Sequence, residues 1–107
     1  MIKTGGENVA SITVETALLG HPAVANVEAV GLAHRHWIEA ATAFVVLKPG
    51  AAADEPTLIE HCRQRLGKHE VPKRIVFIDQ MPATATGKVQ KNVLREQFST
   101  LYADETA

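Results

Sequence analysis

Val24-Ala25-Asn26-Val27-Glu28-Ala29-Val30-Gly31-Leu32-Ala33 and the richer run Ala41-Thr42-Ala43-Phe44-Val45-Val46-Leu47 decide the fold. In the first, the apolar positions Val27, Ala29, Val30 and Leu32 suit a strand. In the second, β-branched and aromatic residues gather around Phe44-Val45-Val46. The two are expected to pair as antiparallel neighbours. Outward toward the N-terminus, Ser11 is expected to cap a helix over residues 12–19. Glu15 in its first turn would suit the positive end of the dipole, and Gly20-His21-Pro22 would stop it. Further back, Gly5-Gly6 reads as a hairpin turn between two short strands. Toward the C-terminus, Pro49-Gly50 closes the second central strand and Ala51-Ala52-Ala53 is a linker. Asp54-Glu55-Pro56 then opens a helix whose Leu58, Ile59, Cys62 and Leu66 share one face, with Gly67 ending it. Residues 74–79 carry Ile75-Val76-Phe77-Ile78, which reads as a short buried strand. A last helix is expected over residues 92–101, with Leu94, Phe98 and Leu101 on one face and Arg95 and Glu96 toward solvent. The irregular alternation of elements predicts an α+β fold, a small, mostly antiparallel sheet with about three packed helices.

Composition narrows the function classes. A chain of 107 residues fits a single domain, residues 1–107, of a size that can bury its own core. With 46% hydrophobic and 21% charged residues it reads as a soluble globular protein rather than a disordered one. The formal net charge of -1 offers no field that would steer nucleic acid or an anionic membrane to the whole molecule, so any phosphate contact must be local. Cys62 is the only cysteine, which excludes an intrachain disulfide and a cysteine-rich zinc site and suits a reducing compartment, with the cytoplasm as the expectation. No apolar run reaches the ~18 residues of a membrane span, and the start of the chain does not read as a targeting segment.

The tract Met81-Pro82-Ala83-Thr84-Ala85-Thr86-Gly87-Lys88-Val89-Gln90-Lys91 carries the chemistry. Small, turn-forming residues present one ammonium group at a loop tip. Pro82 restricts the backbone ahead of it, and Gly87 removes the side chain beside Lys88, so the tip is thin enough to enter a cleft and reach phosphate. A nucleotide P-loop does not fit, because Walker A needs glycine at position 82 and Ser or Thr at position 89, where this chain has Pro82 and Val89.

Read together with Ile2-Lys3-Thr4-Gly5-Gly6-Glu7-Asn8-Val9 at the start, the tract resembles the C-terminal domain of adenylate-forming (AMP-binding) enzymes of the acyl-CoA synthetase, or fatty-acid–CoA ligase, type, over nearly the whole chain. The resemblance implies an acid–thiol ligase that joins a carboxylate to the α-phosphate of ATP, releases pyrophosphate and passes the acyl group to coenzyme A. It implies that Lys88 is the adenylation lysine, that Thr86 and Gly87 support its loop, and that Gly5 and Gly6 line a tunnel for the pantetheine arm. Glu7 and Asn8 would shape the turn there. It further implies that Trp37 contacts the nucleotide of coenzyme A and that Lys73 and Arg74 meet its phosphates. His69 and Glu70 depart from the family's usual aromatic and cation at those positions.

The resemblance also implies partners. The family's Gly-, Ser- and Thr-rich phosphate loop and acidic ribose-binding segment do not occur in this sequence. They belong to a large N-terminal AMP-binding domain, and the family's hinge residue lies just before the segment that begins at Met1. The expectation is a mobile lid that is inactive alone, holds nothing tightly itself, and works with ATP, Mg2+, coenzyme A and a carboxylic acid in the larger enzyme. Two other readings stay open: an adenylation domain that loads a carrier protein, and a non-catalytic interaction module.

The remaining reactive side chains point elsewhere. His21, His34, His36, His61 and His69 invite a metal, but no carboxylate or cysteine completes a ligand spacing, and no metal site is expected. Cys62 belongs to an apolar helical face and reads as a buried, inert thiol.

Overall fold

The computed structural model describes residues 2–4, 7–34 and 38–102, leaving aside the side chains of Glu7 and Ile38. At its centre β3 (Val24–His34) and β4 (Ile38–Leu47) run antiparallel, from Val24 opposite Leu47 to His34 opposite Ile38, with an irregularity between Val24 and Asn26. Both strands extend past the expected limits, and both are covered on two faces. Alternation along β4 sends Ala41, Ala43 and Val45 into one core and Ala40 and Phe44 into another, as the period of two in a pleated strand requires.

The first core is closed by two helices. In α1 (Ser11–Leu19), Val14 and Leu18 are buried; in α2 (Glu55–Arg63), Leu58 and Cys62 are. α2 starts as expected: the Asp54 carboxylate accepts the Thr57 N–H at 3.0 Å, and Pro56 sits in the first turn; hydrogen bonding from the Thr57 side chain first, and then from its N–H, holds the Asp54 pKa below the usual carboxylate value. It ends at Arg63, earlier than the Gly67 stop, and Leu66 packs from beyond the helix. Gly67 instead opens a short 3-10 turn, Lys68–Glu70, where its N–H donates to Glu70 Oε1 at 2.8 Å.

α1 corrects two expectations. Its N-cap is Ala10, with no capping side chain; Ser11 already lies inside the helix. Glu15 lies beyond the first turn and is buried, with one carboxylate oxygen accepting the Ala29 N–H of β3 at 2.8 Å. Tertiary partners, not the dipole, determine where that side chain goes.

The sheet is completed at the far edge of β4. There β1 (Ile2–Thr4) pairs with β4 at Thr4–Ile38 and antiparallel with β2 (Glu7–Val9), Thr4 standing opposite Glu7. β5 (Arg74–Phe77) joins the same edge in parallel, from Thr42–Arg74 to Val45–Phe77. It is shorter than expected and less buried: Ile75 is enclosed, while Phe77 is 39% exposed. Ile75 and Phe77 share a face, and Val76 packs against the second core from the other, so the exposure of Phe77 belongs to the last residue of the strand and not to an uncovered face. The expected α+β class, with a mostly antiparallel sheet and three helices among the described residues, is what the chain adopts.

The second core lies under α3 (Lys91–Gln97), which is shorter than the expected 92–101; residues 98–102 continue as turns. The face reading survives that change. Leu94 is buried, Phe98 and Leu101 pack beside it, and the Phe98 ring meets Phe44 at 4.9 Å between centroids, while Arg95 and Glu96 are exposed. Tyr102, which the apolar pattern did not single out, is 2% exposed, and its hydroxyl shares a 2.8 Å hydrogen bond with Thr42 Oγ1. Thr42 also donates to Ala40 O at 3.1 Å, so a polar pair sits satisfied inside an apolar layer. Tyr102→Phe is expected to cost about 1 kcal/mol, because Thr42 keeps its backbone partner; a urea unfolding series read by far-UV circular dichroism measures the loss.

Candidate functional site

Thr84-Ala85-Thr86-Gly87 turns the chain between β5 and α3. The Gly87 N–H donates to Thr84 O at 2.9 Å, the Thr84 N–H to Lys88 O at 2.9 Å, and the Gln90 N–H to Pro82 O at 2.9 Å, with Ala83 bridging Val89 antiparallel. That is a small hairpin whose loop closes on a left-handed glycine, Gly87 at φ +87°. A Cβ there would meet open space, so glycine is needed for backbone conformation, not for room. Side chains reinforce the turn. Thr84 Oγ1 accepts the Lys88 N–H at 3.1 Å and shares a 2.9 Å hydrogen bond with Thr86 Oγ1. Thr84 is a supporting residue that sequence reasoning passed over, although a hydroxyl closing an ST-type turn was a readable signal.

Lys88 itself is exposed, and among the described residues no carboxylate pairs with its ammonium. The hairpin holds the backbone of Lys88 firmly and leaves its charge available. The next lysine behaves oppositely. Lys91 Nζ reaches Glu15 Oε2 at 3.0 Å, Ala29 O at 3.2 Å and Ser11 Oγ at 3.3 Å. Nothing in the sequence pairs residues this far apart, and the contact was not anticipated.

The expected coenzyme A residues are distributed over other elements. Gly5, Gly6 and Trp37 lie outside the described residues, as does the side chain of Glu7; the strands that flank the glycine pair are in place. Lys73 and Arg74 sit at the entry to β5. Arg74 Nε donates to Glu55 Oε2 at 3.0 Å, and the same oxygen accepts the Ile75 N–H at 2.7 Å, so this arginine is tied to the start of α2. Lys73 is exposed, its N–H donates to Ala41 O at 2.8 Å, and its side chain lines a groove of about 480 Å³ between α2 and the segment that follows it. Arg63 and Lys68 line the same groove over an apolar floor that includes Ile59 and Pro72. Three cations on one groove were not evident in the sequence, because Arg63, Lys68 and Lys73 belong to three different turns of chain.

Titratable groups elsewhere follow their surroundings. Burial pushes the Cys62 thiol up to about 11, which suits an inert thiol. His21 and His61 meet edge to face at 5.1 Å, and His61 Nε2 lies 2.8 Å from Ala17 O, so that nitrogen carries a proton. Among the described residues no group of three or more His, Cys, Asp or Glu side chains comes together as a metal would require, and no helix is long and apolar enough to cross a membrane.

Residues 13–88 match the family model of the AMP-binding enzyme C-terminal domain, and the chain belongs to that family. It is 44% identical, over 94% of its length, to the probable CoA ligase CCL11 of Humulus lupulus, and 38% identical, over 92%, to the long-chain-fatty-acid–CoA ligase FadD13 of Mycobacterium tuberculosis. It spans 18% and 20% of those two proteins. Among solved structures, ATP-bound MatB from Rhodopseudomonas palustris superimposes with a TM-score of 0.93 at 35% identity, over 95% of this chain and 20% of that one.

Glu28, near Glu15 and Lys91, has its pKa raised, first by burial and then by the Glu15 charge, with Lys91 opposing. A carboxyl that binds its proton more tightly when folded contributes stability below its unfolded pKa of about 4.3 and loses it as pH rises through the folded value. Glu28→Gln is therefore expected to raise the melting temperature at pH 7, with the advantage fading as the pH is taken down to about 4; paired thermal melts at the two pH values test this.

Proposed function

We propose that this chain is the mobile C-terminal domain of an acyl-CoA synthetase, which converts ATP to AMP and pyrophosphate while joining a carboxylic acid to coenzyme A. Membership of the family and similarity to CoA ligases along nearly the whole chain support this reading. Its partner is a large AMP-binding domain of the same enzyme, which would hold ATP, the acid and the Mg2+ that accompanies the triphosphate. The 107-residue chain alone is expected to be inactive. The one buried thiol suits a reducing compartment such as the cytoplasm, and neither nucleic acid nor membrane insertion enters the reaction.

In the first half-reaction a carboxylate oxygen attacks the α-phosphorus, the bond to the bridging oxygen breaks, and pyrophosphate leaves with that electron pair. Negative charge converges on one phosphorus. The role assigned to Lys88 is to offset it with an ammonium presented on a stiff backbone. Two unit charges ~4 Å apart attract by only about 1 kcal/mol in water but about 4 at an effective dielectric near 20. The lysine is therefore effective only once the hairpin is enclosed by the large domain. In the second half-reaction the thiol sulfur attacks the adenylate carbonyl, loses its proton and expels AMP. Gly5 and Gly6 would pass the pantetheine arm, Glu7 would shape the turn, and Trp37, Lys73 and Arg74 would meet the nucleotide end. Arg63 and Lys68 add charge to the groove that Lys73 lines.

The observation that carries the proposal is Lys88, an exposed lysine held at the end of a self-closed hairpin by Thr84, Thr86 and Gly87. In the ligase that carries this domain, Lys88→Ala is expected to slow adenylate formation by about 10²-fold or more, while thioester formation from a supplied acyl-adenylate is spared. Gly6→Ile is expected to do the reverse, sparing pyrophosphate release and slowing thioester formation. Separate assays of the two half-reactions check both, and wild-type adenylation by Lys88→Ala would remove that lysine from the chemistry.

A further inference from the structure

Lys91 opens α3, where a helix dipole disfavours a cation, and α3 has no side-chain N-cap to compensate. The lysine is nevertheless drawn inward: its side chain is 35% exposed and that of Glu15 only 11%. Three acceptors surround Nζ, namely Glu15 Oε2, Ala29 O and Ser11 Oγ, so each of the three N–H groups of an ammonium has a partner. Glu15 Oε2 also accepts the Ala29 N–H. One carboxylate oxygen thus joins α1, β3 and the start of α3.

The hairpin's own hydrogen bonds run within residues 82–90. They make it stiff but do not aim it relative to the sheet. Aim must come from its two ends. At the entrance Met81 packs against the second core, and at the exit Lys91 is fastened to α1 and β3. Lys91 follows Lys88 by three residues, at most about 11 Å of extended chain, so movement at the fastening is passed to the exposed ammonium.

We propose that Lys91, held by Glu15, is a positioning residue for Lys88, fixing the hairpin at the orientation from which Lys88 reaches the reacting phosphate. This rests on the adenylation reading above. It requires that loss of the tether damage adenylation specifically, because the side chain of Lys91 is fastened to α1 and β3, whereas the strands that precede and follow positions 5 and 6 in the chain are β1 and β2.

The test is a set of variants of the ligase that carries this domain. Lys91→Met keeps the aliphatic stem and removes the charge. It is expected to lower kcat for adenylate formation about 10- to 100-fold, the range in which small misplacements act, with the KM for coenzyme A and thioester transfer from supplied acyl-adenylate unchanged. Lys91→Arg, whose planar fork cannot meet all three acceptors, is expected to recover part of the loss. Adding Lys91→Met to Lys88→Ala should cost nothing further, since one residue acts through the other. If Lys91→Met proves unstable, Glu15→Gln, which keeps an acceptor and removes the counter-charge, is expected to show the same selective loss in milder form. Normal adenylation in a folded Lys91→Met variant, equal slowing of both half-reactions, or full additivity with Lys88→Ala would each overturn the proposal. Normal adenylation by Lys88→Ala alone would instead overturn the reading on which it rests.

Discussion

Burial of β4 on both faces is the constraint from which the rest of the molecule follows. Ala41, Ala43 and Val45 need one covering layer, and Ala40, Thr42 and Phe44 need another. A strand enclosed in this way cannot be stabilised by a hairpin alone; it calls for helices on each side. α1 and α2 provide the first layer, and α3 with Tyr102 provides the second. The lysine hairpin is the connection between β5, at the edge of β4, and the helix of that second layer. Its place on the surface is thus a consequence of how the sheet is covered.

Much of this was legible because it is local. The alternation in residues 24–33 and 41–47, the Asp54 cap with Pro56, and the Thr84–Gly87 turn each declare themselves within a few residues. The Asp54 cap appears where its side chain predicts, whereas Gly87, read in the sequence as thinning the loop tip, is needed for its left-handed backbone. Boundaries were less legible where tertiary contacts compete with helix periodicity. α3 stops at Gln97 because Phe98, Leu101 and Tyr102 reach the second core as turns, a geometry that an apolar spacing of three or four residues does not separate from a longer helix.

What the sequence hid were polar contacts over long separations. Ser11 and Glu15 have the composition of a helix start, and by propensity alone they should serve the α1 terminus. In the folded chain both face Lys91, some eighty residues away along the chain. A carboxylate that can meet an ammonium and a strand amide in a partly buried setting gains more than it would from an exposed dipole. The cations of the α2 groove were hidden for the same reason, since Arg63, Lys68 and Lys73 share neither a helix face nor a strand.

Lys88 in the hairpin and Lys91 at the start of α3 show two ways of placing a surface charge. An exposed lysine is screened beyond about 8 Å at physiological salt and carries about 2 kcal/mol of rotamer entropy, so by itself it is a poor source of directed field. Stiffening the backbone beneath it leaves less freedom to be lost when a cleft closes around it. Thr84 and Gly87 supply that stiffness within the loop, and the partly buried ammonium of Lys91 ties the loop to the body of the domain. A cation used for architecture thus stands three residues from one left exposed, and exchanging their places would bury the charge that the hairpin now presents to solvent.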